Sequence, residues 1–264
     1  MTKIYPLFSG SRGNSTYLEC QNTAILIDAG CSTKQIEAML KKNELDLTKI
    51  KSILITHEHS DHIMGLRTLA TRYGIKVYSS KGTIKALIEH GILNDKISYE
   101  AVSDKGFEIG DIFVKPFFTS HDSNESFGYV VTTPDQRKTA FATDMGFVSN
   151  EVRNAINGCD VLFIESNHDV GMLENGKYPY FLKRRILSNK GHLSNEACAQ
   201  ELPGFVKKGT TRIVLSHLSE QNNIPKLAYE TSIASLLSNG MKSRLDFDIK
   251  IASKENHLGE HIII

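Results

Sequence analysis

Between residues 56 and 62 the chain reads Thr56-His57-Glu58-His59-Ser60-Asp61-His62, with three imidazoles and two carboxylates in six consecutive positions. Imidazole and carboxylate are the ligands of borderline cations such as Zn, Mn and Fe. A fold that carries this stretch must hold it rigidly at the rim of a site. The run before it, Lys51-Ser52-Ile53-Leu54-Ile55, is short, apolar and of β type, and residues 63–69 read as the start of a helix. The stretch is therefore predicted where a strand turns into a helix. Residues two apart on an extended segment point the same way, which puts His57 and His59 on one side. Asp61 and His62 follow the turn and face a second position, a spacing that suits two cations better than one.

The same design recurs along the chain. Strands are predicted at 3–8, 16–20 and 24–28, the third ending in Asp28, and a helix at 33–42. Asp28 is read as a ligand or, better, as an acceptor that organises the loop below the metals. Antiparallel strands are predicted at 97–102, 107–109 and 112–118, followed by strands at 127–133, 138–143 and 159–165. Strands ending near residues 56, 119, 143 and 165 each finish in His or Asp, and a fifth, at 211–216, finishes in His217. Strand ends along one sheet edge bring their terminal side chains together, so one site on the edge of a layered α/β sandwich is expected. The loop Ser9-Gly10-Ser11-Arg12-Gly13-Asn14-Ser15 is read either as a plain hairpin turn or as a backbone nest for an anion.

Bulk properties exclude little but narrow the setting. With 31 Lys and Arg against 30 Asp and Glu, the net charge is +1, so attraction to nucleic acid must be local. The N-terminus lacks the apolar segment of a signal peptide, and no run is long enough to span a membrane. Cys20, Cys31, Cys159 and Cys198 are scattered, with no Cys-x-x-Cys pair. Reduced, buried thiols in a cytoplasmic protein are expected.

His57-x-His59-x-Asp61-His62, followed in order by His121, Asp144 and His217, resembles the signature of the metallo-β-lactamase superfamily over essentially the whole chain. The resemblance implies one αββα sandwich domain, 1–264, with its metal site at one edge of the two sheets. It implies two divalent ions of Zn, Mn or Fe. His57, His59 and His121 would hold one, Asp61, His62 and His217 the other, and Asp144 would bridge them. A hydroxide between two such ions forms near neutral pH and serves as the nucleophile.

Residues 177–190 carry five basic residues and no acidic one. Lys183, Arg184 and Arg185 suit phosphates, and Tyr178 or Tyr180 suits stacking on a base. His192 precedes a helix expected to be capped by Ser194, beside the positive helix end, where it suits a phosphate oxygen or a leaving alkoxide. Together with the 9–15 loop, Glu165-Ser166-Asn167-His168-Asp169 and the segment 215–223, these motifs resemble the YycJ/WalJ family of bacterial metallo-hydrolases. That likeness implies a 5′-to-3′ exonuclease of double-stranded DNA, with a role in mismatch repair. The candidate catalytic residues are Asp61, His192 and His168; the candidate substrate-binding residues are Ser9, Ser11, Asn14, Asn167, Lys183 and Arg185. The alternatives are a hydrolase of small thioesters, lactones or β-lactams on the same fold, or a non-catalytic regulatory protein that keeps its metals. His257 and His261 have no partner motif.

Overall fold

Alternation along the strands sets the layers. In the run Ile25-Leu26-Ile27, Ile25 and Ile27 join one apolar cluster and Leu26 another, because successive side chains leave opposite faces of a strand. Val161, Phe163 and Val214 pack with Ile25 and Ile27, whereas their neighbours Leu162, Ile164, Ile213 and Leu215 pack outward against helices. Strands buried on both faces read as continuous apolar runs, as these do. The result is helix, sheet, sheet, helix, with one apolar layer between the sheets and one under each set of helices.

The computed structural model describes residues 1–264. In chain order the strands are β1 (Thr2–Phe8), β2 (Ser15–Cys20), β3 (Thr23–Ile27), β4 (Ile50–Leu54), β5 (Lys76–Ser79), β6 (Tyr99–Ala101) and β7 (Phe107–Ile109). They continue with β8 (Ile112–Phe118), β9 (Phe127–Thr132), β10 (Lys138–Ala142), β11 (Val161–Glu165), β12 (Arg212–Ser216), β13 (Asp248–Ile251) and β14 (Ile262–Ile263). One sheet runs β14-β1-β2-β3-β4-β5-β6 and the other β13-β12-β11-β10-β9-β8-β7. Pairing is parallel from β3 to β6 and from β10 to β13. Two antiparallel steps, β10 to β9 and β9 to β8, return β8 to the direction of β10. The C-terminal ends of β8, β10, β11 and β12 therefore share one edge, the usual place for a site in such sheets.

The fold class expected from the sequence is the one observed. One strand departs from its expected pairing. The strand expected at 97–102, in an antiparallel series, is β6, and it runs parallel to β5 in the other sheet. The helix Lys81–Glu89 intervenes between β5 and β6, and a strand-helix-strand crossover brings the second strand back parallel. All four cysteines are free and buried.

Candidate metal centre

β4 ends at Leu54, and the chain then runs through Thr56 and His57 into the short helix Ser60–Ile63, with His59 at its N-cap. His57 Nε2 lies 3.0 Å from His59 Nδ1, and His121 Nε2 lies 3.2 Å from that same nitrogen. Ligand atoms around a tetrahedral cation with bonds near 2.0–2.1 Å sit roughly 3.3 Å apart, so three converging imidazoles at these distances fit one shared ion. Burial, then the positive charges of neighbouring imidazoles, push the His57 pKa down; burial does the same for His121. Both rings stay neutral, the form that binds metal.

A second group lies beside the first. His62 Nε2 is 3.4 Å from Asp61 Oδ2 and 3.4 Å from Asp144 Oδ2, and His217 Nε2 is 3.5 Å from Asp61 Oδ2. Asp144 Oδ1 reaches to 3.9 Å from His121 Nε2, which sets this carboxylate between the two groups. Asp144 Oδ2 and His217 Nε2 are buried without any hydrogen-bond partner. A buried polar atom left so costs about 1–3 kcal/mol, and a bound cation would satisfy both at once.

Charge supports the same assignment. Asp28, Asp144 and Glu165 are buried, Asp61 is half-buried, and no lysine or arginine in the molecule is buried. Burial alone would raise the Asp61 pKa, but His62 and His217 hold it well below the usual carboxylate range. Burial opposes a proton on His62 and His217, yet Asp144 and the other carboxylates lift both pKa values well above the imidazole range. Protons on these rings balance the acid cluster; divalent cations would displace them, which makes metal binding proton-linked.

The surroundings fix each ring. Asp28 accepts from the Thr56 backbone N–H at 2.8 Å, from the Thr56 hydroxyl at 2.9 Å and from His62 Nδ1 at 2.8 Å, so His62 presents Nε2 to the site. His121 Nδ1 donates to the Gly191 carbonyl at 3.0 Å and likewise presents Nε2. Such outer contacts set tautomer and orientation. Asp28, Asp144 and His217 adopt φ of 61°, 57° and 56°, left-handed conformations that cost non-glycine residues energy and gather at functional sites. In each case the chain has just left a strand, and the turn swings the side chain back over the sheet edge. Gly30 lets this packing close, since a Cβ there would sit 1.7 Å from the Asp61 carbonyl oxygen.

Glu165, at the end of β11, carries no role of its own in the sequence motif that contains it. It is fully buried, and its Oε1 accepts from His192 Nδ1 at 2.7 Å and from His217 Nδ1 at 2.9 Å. Its Oε2 accepts from the backbone N–H groups of Met145 and Leu193. The signal was present, since Glu165 ends a strand like the other site residues. Burial would raise its pKa, but His192 and His217 hold it down, so it is a carboxylate.

A cavity of about 330 Å³ opens over the two groups. Asp61, His192, Ser11, Asn167 and Arg185 line it. Four of the residues assigned from the sequence lie outside the cavity lining. Ser9 is buried outside the cavity lining, and its hydroxyl accepts from the His217 N–H at 2.9 Å, which braces the His217 loop. Asn14 lies beneath the histidine loop, with its backbone N–H on the Asp61 carbonyl and its side-chain amide 3.2 Å from His62 Nε2. Lys183 donates to the Glu174 carbonyl at 2.8 Å, away from the cavity. His168 is 1% exposed and does not line the cavity; burial lowers its pKa to about 4, and both ring nitrogens lack partners. Arg185 does line the cavity, but forks onto both oxygens of Asp122, a residue the sequence reading left out.

Comparison with known proteins adds a family to this geometry. Residues 23–218 match the model of the "Beta-lactamase superfamily domain". The chain is 42% identical over 226 residues to Exodeoxyribonuclease YycJ of Bacillus anthracis, a match covering 84% of each protein. It is 38% identical over 248 residues to Exodeoxyribonuclease WalJ of Streptococcus pneumoniae, covering 92% of this chain and 91% of that one. In fold it is similar to the metallo-beta-lactamase fold protein YhfI from Bacillus subtilis, with a TM-score of 0.71 at 12% identity over 96% of this chain and 97% of the other.

Proposed function

Because the chain belongs to the β-lactamase superfamily, we propose that it is a metal-dependent nuclease that removes nucleotides from the 5′ end of double-stranded DNA. The observation that carries this reading is His192, held by Glu165 and facing the cavity beside Asp144. Hydrolysis of a phosphodiester breaks a P–O bond and expels an alkoxide, a poor leaving group that needs a proton donor at this place. DNA as the polymer is supported by the similarity to proteins named exodeoxyribonucleases. The 5′-to-3′ direction, a place in mismatch repair and a cytoplasmic location belong to the same proposal and rest on the family likeness. No helix is long and apolar enough to cross a membrane.

Two divalent cations, of Zn, Mn or Fe, would supply charge neutralisation at the phosphate and acidify a water molecule. His57, His59 and His121 would hold one; Asp61, His62 and His217 the other; Asp144 would serve both. Ser11, Asn167 and Arg185 line the space where a phosphate would lie. Glu165 keeps His192 Nδ1 engaged, which leaves Nε2 to give its proton to the leaving oxygen. The cavity lining is mostly polar, a poor match for the acyl chain of a thioester or lactone.

End-labelled duplex DNA incubated with the protein and Mn²⁺ is the test, run beside a thioester, a lactone and a β-lactam. Progressive shortening from the 5′ end, stopped by a chelator, is the expected result. Intact DNA alongside turnover of a small ester would replace this reading with the small-molecule one.

A further inference from the structure

The helix Tyr180–Ile186 borders the cavity through Leu182, Arg185 and Ile186, and Tyr178 just before it lines the same space. Two neighbouring rings on this helix are turned outward. Tyr180 is 75% exposed and Phe181 74%, among the most exposed large apolar residues in the molecule. Phe181 and Arg185 are four residues apart, hence on one ridge of the helix, which runs from the exposed ring to the cavity wall. Arg184 lies over the Tyr180 ring, 5.9 Å from its centre. A guanidinium so placed steadies the ring and adds positive charge beside it. The stretch 177–190 holds five basic residues and no acid, so the aromatic pair stands in a basic surface next to a site built for phosphate.

Cavity size makes these rings informative. About 330 Å³ takes one nucleotide and not a duplex. The ligating side chains lie at its floor, so a duplex end must open before its phosphodiester arrives. Enzymes that do chemistry on a base in a duplex draw the nucleotide out of the stack and hold the base against aromatic or apolar side chains; a nuclease with a one-nucleotide site faces the same unpairing cost. Base–aromatic stacking is sequence-tolerant, because every base has a π face.

Resting on the nuclease reading above, we propose that Tyr180 and Phe181 form an aromatic step that stacks on the bases at a duplex end and holds the terminal nucleotide unpaired for entry into the cavity. The occupant is the end of a DNA duplex. Basic residues around the step bind its backbone, and the rings take the place of the lost neighbour in the stack.

The test compares metal-loaded wild type with Tyr180→Ala/Phe181→Ala on three substrates: a blunt duplex, the same duplex with three unpaired terminal nucleotides, and bis-p-nitrophenyl phosphate. On the blunt duplex kcat/KM should fall by about 10- to 100-fold, the scale of one or two lost stacking contacts. The frayed duplex should lose no more than a few-fold, and the small ester should be unchanged. The chain has no tryptophan, so Phe181→Trp gives a single reporter. It should retain activity on the blunt duplex, and its emission should be quenched by a duplex with phosphorothioate ends. Equal losses on blunt and frayed duplexes, or an unquenched reporter, would overturn the step while leaving the nuclease reading intact. A wild type that cleaves the small ester but no DNA would overturn both.

Discussion

Asp144→Ala is expected to reduce hydrolysis to background and to empty at least one metal position. Asp144 stands between the two histidine groups, 3.4 Å from His62 Nε2 through one oxygen and 3.9 Å from His121 Nε2 through the other. Two dications in one site repel strongly, and a shared carboxylate offsets that repulsion while keeping them close. The residue is buried with an unpartnered oxygen, and circular dichroism of the variant separates loss of metal from loss of fold. Metal analysis of the purified variant is the measurement. Two ions still bound at full occupancy would remove Asp144 from the shared role.

His192→Ala is expected to leave both ions bound and to slow DNA cleavage by about 10²–10⁴-fold, the range for a lost proton donor. The ring meets Glu165 through Nδ1 at 2.7 Å and lies at the cavity wall with His217, 5.3 Å away between ring centres, while the ring of His121 lies 5.0 Å away. Turnover of bis-p-nitrophenyl phosphate separates two roles, because its leaving group needs little protonation. A larger loss on DNA than on that ester marks His192 as the acid; equal losses mark it as a phosphate contact. Asp144, Glu165, His192 and His217 also lie close enough to hold a cation together. Loss of metal from His192→Ala would therefore make it a ligand and end its assignment as proton donor.

The legible parts of this molecule are the local ones. The loop from His57 to His62 declares itself because its donors are adjacent in sequence, and β3, β8 and β11 declare themselves by unbroken or alternating apolar runs. Glu165 is illegible as a partner of His192 for a topological reason. It meets His192 and His217 because β11 lies between β10 and β12 in the sheet, an order that no local pattern encodes. Ser9, Asn14 and Lys183 have the chemistry of substrate contacts, but hydrogen bonds engage them outside the cavity lining, Ser9 with a residue 208 positions away, Asn14 with the histidine loop and Lys183 with the Glu174 carbonyl. β6 was mispaired because a three-residue strand says nothing about its direction. The helix Pro225–Ser238 escaped because its apolar residues do not gather into one stripe.

Titration of the metal-free protein with Mn²⁺ or Zn²⁺, followed by duplex hydrolysis at each step, tests the two-cation nuclease site most directly. Two equivalents per chain should bind, with protons released as they do, and exonuclease activity should reach its plateau only as the second position fills. Full activity at one equivalent, or two bound ions with no hydrolysis of duplex DNA, would contradict it.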